Sequence, residues 1–287
     1  MYIHDEVWGT WELNDPLIIE LINSSPIQRL KKINNDGANR YLYEMGEPTR
    51  FKHSMGVLYL ANRFSRKRED HIMAILHDVA HTAFSHVVDF VFEKGDTQDF
   101  HEEAKKKLLE DTEVKDILIK YGYRPNQFYE KDKFPIVGNG KNQTNIDRID
   151  YFMRDGVGIK LINPQIANTF INNLSYDELN QEFYFTDIGQ AATFTLVCLT
   201  TSSLAYSSAN AIGSTYLLSE ALKRALKLEL ITEDDLRLTD DVIMKRLKNS
   251  SDEVIKSFIS RLNRKTQFEL CDKEESEYST KNKFRYI

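Results

Sequence analysis

The chain has 287 residues, 41% of them hydrophobic and 29% charged, with 38 Lys and Arg against 44 Asp and Glu for a net charge of −6. That composition supports a buried core and excludes a disordered chain, and the acidic balance removes any global electrostatic reason to bind nucleic acid. Cys198 and Cys271 are too few for a disulfide scaffold and share no thiolate zinc spacing, so a reducing, cytoplasmic setting is expected.

Met1 to Glu6 carries neither the basic start nor the apolar run of a signal peptide, and a brief extended piece is expected there. From Asp15 to Asn35 the apolar residues fall at helical spacing, interrupted at Ser24-Ser25-Pro26, which predicts two short helices. Two more follow around Met55 to Asn62 and Ile72 to Val79, joined through the charged run Arg63 to Asp70. Helical periodicity continues at Val87 to Phe92, Glu102 to Leu109, Val114 to Tyr121 and Ile146 to Phe152. Glu182 to Thr186 reads as a strand that pairs with Leu174 to Leu179 in a small hairpin. The stretch Ile188 to Ser219 holds no charge over 32 residues, yet 11 are Ser or Thr, so it reads as a long buried helix rather than a membrane span. Val254, Phe258 and Leu262 continue the helical pattern before a charged tail. The expected fold is mostly α, with 1–160 as the core and its N-terminal lead-in, 161–270 as a helical extension packed on it, and 271–287 as a poorly ordered tail.

All histidines except His4 fall between His53 and His101. His77 and Asp78 are neighbours on a predicted helix, in the otherwise apolar segment Ile72 to Ala83. Burying an imidazole and a carboxylate there without a partner would cost several kcal/mol (about 3 or more), and a divalent cation is a natural partner. His81 lies four residues on, on the same predicted helical face, while His86 and Asp89 are three apart on the next helix. Each of these could also be a capped core side chain; three histidines and two carboxylates within 13 residues weigh against that for the group.

Three strings now carry a family resemblance: Arg50-Phe51-Lys52-His53-Ser54-Met55-Gly56-Val57, Leu76-His77-Asp78-Val79-Ala80-His81-Thr82-Ala83-Phe84-Ser85-His86, and Asp147-Arg148-Ile149-Asp150-Tyr151-Phe152-Met153-Arg154-Asp155. Together they resemble the three motifs of the HD-domain metal-dependent phosphohydrolases, within the branch that holds the deoxynucleoside triphosphate triphosphohydrolases. Gln28-Arg29-Leu30 to Gly37 fits that branch as well, and the resemblance spans Ile3 to Asp155. It implies an HD-type helical bundle and a divalent metal (iron, manganese, zinc, nickel or magnesium) held by His53, His77, Asp78 and Asp147. It places His81, His86, Asp89 and His101 in the catalytic pocket, with His86 as general acid, His101 next in line for that role, and Asp89 orienting the acid. It also implies that Arg50, Arg148 and Arg154 contact phosphate and that Tyr151 and Asp155 face the sugar.

Two positions depart from the branch. Asn35 stands where the triphosphohydrolases read the sugar with a glutamine, and Asp36 follows it in place of an apolar residue. The segment Phe194 to Ser208, which matches the helix that grips the outer phosphates, has no cation. The sequence therefore points to a metal-dependent phosphohydrolase acting on nucleotides, either a deoxynucleoside triphosphate triphosphohydrolase or a nucleotidase-like variant. A phosphodiesterase or nuclease, and a nucleotide-binding regulatory module without turnover, are the competing readings. Expected partners are a nucleotide or another phosphorylated small molecule, with no membrane and no long nucleic acid; a homo-oligomer is left open.

Overall fold

The computed structural model describes residues 1–42, 48–92, 100–138 and 144–269, without the side chains of 100–103. The expected tail 271–287 and Cys271 lie outside the described residues. Among those described there are 13 α-helices and two small two-stranded sheets, so the chain is mostly α as its periodicity implies.

The extended N-terminal piece is a hairpin, β1 (Tyr2–Asp5) with β2 (Gly9–Glu12), in antiparallel register Ile3 to Trp11. Its turn is closed by Asp5, whose Oδ1 accepts from the backbone of Val7 and Trp8, and Gly9 takes the left-handed φ of 83° that the reversal needs. Asp15 caps α1 (Pro16–Asn23), and α2 (Ser25–Arg29) begins after the Ser24 break. Thr49 caps α3 (Arg50–Phe64), and α4 (Arg68–Leu76) runs back along it. Then come α5 (Val87–Val91), α6 (Phe100–Asp111) and α7 (Glu113–Lys120). Asn145 caps α8 (Ile146–Gly158), which packs on α3 through Ile146, Ile149 and Met153. Next are α9 (Pro164–Asn172) and the expected hairpin β3 (Leu174–Asp177) with β4 (Glu182–Phe185).

The charge-free stretch departs from its expectation of one long buried helix. It splits into α10 (Ile188–Thr201), a π-helical turn at Ser202–Tyr206, and α11 (Ala209–Lys227). In α10 only Phe194 and Thr201 are buried, while Leu196 and Leu199 are more than half exposed. Lack of charge allowed burial without requiring it: a single stripe of the helix meets α8 and β4, and the opposite face has no layer over it among the described residues. By length and composition Ile188–Tyr206 would pass as a membrane span, with 17% of its apolar window buried. The chain finishes with α12 (Asp240–Lys248) and α13 (Glu253–Arg261).

Two apolar clusters result. One joins the N-terminal elements, α3, α4, α7, α8, α9 and Phe194, so it runs past residue 160. The other joins α11 to α13 with α5 and Phe84. Between them Asp240, fully buried at the start of α12, accepts from the backbone N–H of Asn34 at 2.9 Å and of Phe84 at 2.8 Å. One carboxylate thus fixes two loops, and both lead to the residues singled out above. Asp240→Asn keeps one good acceptor but turns an NH2 group toward the other N–H. It is expected to lower unfolding stability by about 1–3 kcal/mol, the cost of one unmade buried hydrogen bond, read from a urea midpoint at unchanged slope.

A cluster of metal-ligand side chains

The site is assembled from helix ends. His53 lies in the first turn of α3, His77 and Asp78 follow the last residue of α4, and Asp147 lies in the first turn of α8. His53 Nε2 is 3.2 Å from His77 Nε2 and 3.1 Å from Asp147 Oδ1. Asp78 brings Oδ1 to 3.5 Å from His77 Nε2 and Oδ2 to 3.7 Å from His53 Nε2. Ligand atoms of His53, His77 and Asp147 all lie within 4.8 Å of one another.

Partners on the far side of each ring decide what faces inward. His53 Nδ1 is 2.8 Å from Asp150 Oδ2, and His77 Nδ1 is 2.8 Å from the Ala74 carbonyl. Both partners only accept, so each Nδ1 carries a hydrogen and each Nε2 faces inward as the atom that can offer a lone pair to a cation. Two imidazole lone pairs and two carboxylates then converge, and such a set fits a divalent cation. Burial pulls His53 down, but its hydrogen bonds to Asp147 and Asp150 prevail and raise its pKa to about 9. Burial would raise Asp78 and Asp147, yet the cationic neighbours keep both well below the usual carboxylate range.

A second layer holds the first. Asp150 is fully buried and takes Trp8 Nε1 at 2.6 Å as well as two contacts from Arg154 at 2.9 Å, while Arg154 also bonds Asp5 at 2.9 Å. This network ties the β1–β2 turn to α8 and orients His53. Arg154, expected against phosphate, is instead 5% exposed with its guanidinium engaged by Asp150 and Asp5; a cation beside an inward-facing aspartate is drawn into the interior. Gly56 makes room for it: a Cβ there would collide with the Asp150 carboxylate and the Arg154 guanidinium.

His81 does not share a helix with His77, because α4 ends at Leu76 and Asp78 turns aside to meet Arg50 at 2.7 Å. His81 still brings Nε2 to 3.3 Å from Asp78 Oδ1. Its ring stands edge-on to His86, 4.9 Å between centroids. His86 Nδ1 bonds the buried Asp89 at 2.9 Å, while its side chain is 39% exposed. The loop between them is strained, with Phe84 at φ 62° and Ser85 at φ 53°. Ser85 Oγ accepts from Arg50 Nε and donates to the Asn34 carbonyl. The His101 side chain lies outside the described residues. Arg148 is half-buried one position after Asp147.

At the other end Tyr151 and Tyr206 meet edge-on at 6.2 Å, and the Tyr206 hydroxyl donates to Asp155 Oδ2. Asp155 is 2% exposed, and burial, only partly offset by Tyr206, lifts its pKa to about 6. Asn35 has its N–H bonded to the Pro48 carbonyl, ahead of Arg50. Sequence reasoning missed Lys131, whose Nζ is 2.9 Å from Asp147 Oδ2, and Asp150, Tyr206 and Asp240. Lys131 sits in a charged loop with no motif around it; Asp150 could have been found from its i+3 spacing to Asp147 and i−4 spacing to Arg154.

The HD domain family model matches residues 50–147. The chain is 32% identical, over its whole length and 87% of the relative's, to the uncharacterised protein YdhJ of Bacillus subtilis. It is 33% identical to the metal-dependent phosphohydrolase cns2 of Cordyceps militaris, over 60% of this chain and 50% of that one. To the human deoxynucleoside triphosphate triphosphohydrolase SAMHD1 it is 25% identical, over 53% of this chain and 32% of that one. The chain thus spans half or less of the two relatives that carry an activity in their names.

Asp78→Ala and Asp147→Ala are each expected to lose stoichiometric divalent metal by elemental analysis. Asp150→Asn, which leaves all four inner side chains in place, is expected to weaken metal affinity by about 10–100-fold in a chelator competition.

Proposed function

Because the chain belongs to the HD-domain family of metal-dependent phosphohydrolases, we propose that it hydrolyses a phosphate ester of a nucleotide, in the manner of a nucleotidase-like enzyme. The observation that carries this reading is the graded line of side chains leaving the metal-ligand cluster. Asp78 meets His81, His81 meets His86, and His86 is held by Asp89 with its ring reaching solvent.

A divalent cation bound at the cluster supplies charge neutralisation at phosphorus and lowers the pKa of water. Arg50, anchored by Asp78 and Ser85, and Lys131, anchored by Asp147, flank the cluster and offer positive charge to a phosphoryl group. In the hydrolysis the water oxygen bonds to phosphorus as the ester P–O bond breaks. His86 donates the proton that the leaving oxygen requires, and the proton shed by water restores it. Asp89 accepts from Nδ1, which leaves Nε2 as the atom that exchanges the proton. His81, deeper and bonded to Asp78, holds that ring in place.

Phosphate number follows from where the cations are. Arg50 and Lys131 stand beside the cluster, whereas Ile188 to Ser219 supplies no Lys or Arg for the far end of a triphosphate. This supports a substrate gripped through one or two phosphoryl groups.

His86→Ala is expected to lower kcat by about 10²–10⁴ with metal content unchanged; equal turnover would move the acid role to another group. The ratio of kcat/KM between a nucleoside triphosphate and its monophosphate is expected to stay within about 10²-fold, the worth of one charged contact. A ratio above about 10³ would restore a dedicated triphosphohydrolase.

A further inference from the structure

Three elements converge on the site opposite the metal-ligand cluster. They are the loop carrying Asn35 and Asp36, the last turns of α8 with Asp155, and the π-helical turn that ends at Tyr206. Asn39, in the same loop as Asp36, donates to the Ala205 carbonyl and accepts from Ser214, which fastens the loop to the π turn. Asn34 pairs with Thr49, so the loop also abuts the start of α3 and Arg50.

What gathers there is unusual in its hydrogen-bonding balance. Asn35 Oδ1, Asp36 Oδ2 and Asp155 Oδ1 are all covered from solvent and none has a partner among the described residues. One donor nearby, the buried Thr201 hydroxyl beside Gly156, is also unmatched, so acceptors outnumber open donors three to one among these buried atoms. Tyr206 O–H is given to the other oxygen of Asp155, Arg50 to Ser85 and Asp78, and Arg40 to Asp240. Leaving a buried acceptor unmatched costs about 1–3 kcal/mol, so three together call for a ligand that brings hydrogen-bond donors.

Resting on the phosphohydrolase reading above, we propose that Asp36 and Asp155 together bind a vicinal diol, one hydroxyl to each carboxyl group, so that the enzyme selects ribonucleotides over 2′-deoxyribonucleotides. Asn35 Oδ1 is the third acceptor, at the edge of the same pair. The acidic end rejects additional phosphates, so it suits the uncharged sugar of a substrate whose phosphate lies at the cluster.

The charge state favours hydroxyls over a cationic group. Burial and the neighbouring Asp155 push Asp36 well above the usual carboxylate range, against the pull of Arg50 and Arg40. Asp155 is likewise raised to about 6, by burial first. Arg50 and Arg40 lower Asp36 only in part, so the pair gains nothing from a further negative group. A neutral diol meets both acceptors without adding charge, whereas a deoxyribose would satisfy only one carboxyl group and leave the other unmatched.

The test compares a ribonucleoside monophosphate with its 2′-deoxy counterpart in the metal-loaded protein, alongside calorimetric titration of ribose 5-phosphate and 2-deoxyribose 5-phosphate. Wild type is expected to favour the ribo form by about 10–100-fold in kcat/KM and in Kd, the cost of leaving one buried acceptor unmatched. Asp36→Asn, nearly the same size, and Asp36→Leu are expected to bring both ratios within about threefold, at wild-type metal content and with a cooperative melt. Hydrolysis with equal or better use of the deoxy form overturns the diol assignment and leaves the phosphohydrolase reading standing. A ribo preference that survives in both Asp36 variants overturns the role of Asp36. Failure to hydrolyse either nucleotide, with no binding of either sugar phosphate, overturns both readings.

Discussion

Two imidazole nitrogens 3.2 Å apart that also face carboxylate oxygens form a centre that calls for positive charge between them. Much of the surrounding structure answers to that constraint. Asp150 and the Ala74 carbonyl fix the two rings from behind, and Arg154 neutralises Asp150 in turn. The chain of compensation ends at Asp5 and Trp8, in a hairpin 149 and 142 residues before their partners on α8. The fold thus holds an acceptor-rich centre by surrounding it with donors that point outward from it.

The C-terminal helices take part in the site without contributing to the metal-ligand cluster. Asp240 binds the backbone of both Asn34 and Phe84, and Arg29 reaches the carbonyls of Val79, His81 and Arg237. The loop of His86 and the loop of Asp36 are therefore referenced to the same buried carboxylate. Their separation, which sets the distance between His86 and the acceptor-rich end, is determined at the joint between the two apolar clusters.

Helices α1 to α8 and α13 and the β3–β4 hairpin were legible because local spacing encodes them, and the grouping of His53, His77, Asp78 and Asp147 because their motifs are contiguous; α9 and α12 were not read from the sequence. The β1–β2 pairing was not, since four-residue strands with one buried position between them carry almost no alternation. Arg154 shows the limit of a motif: it marks the right helix turn but not which way a side chain leaves it. Lys131 and Asp240 show another limit, for their partners lie 16 and 156 residues away and only the folded chain brings them together. The exposed face of α10 shows that absence of charge fixes what a helix tolerates, not where it sits.

Gly56 carries no functional group and touches no ligand, yet α3 and α8 approach so closely there that the Asp150–Arg154 pair fills the space a side chain would need. Even alanine would have to displace the carboxylate that fixes His53. In a mutational scan read by function alone, position 56 would be grouped with the histidines of the cluster, and the scan would report a chemical requirement where the molecule has only a steric one.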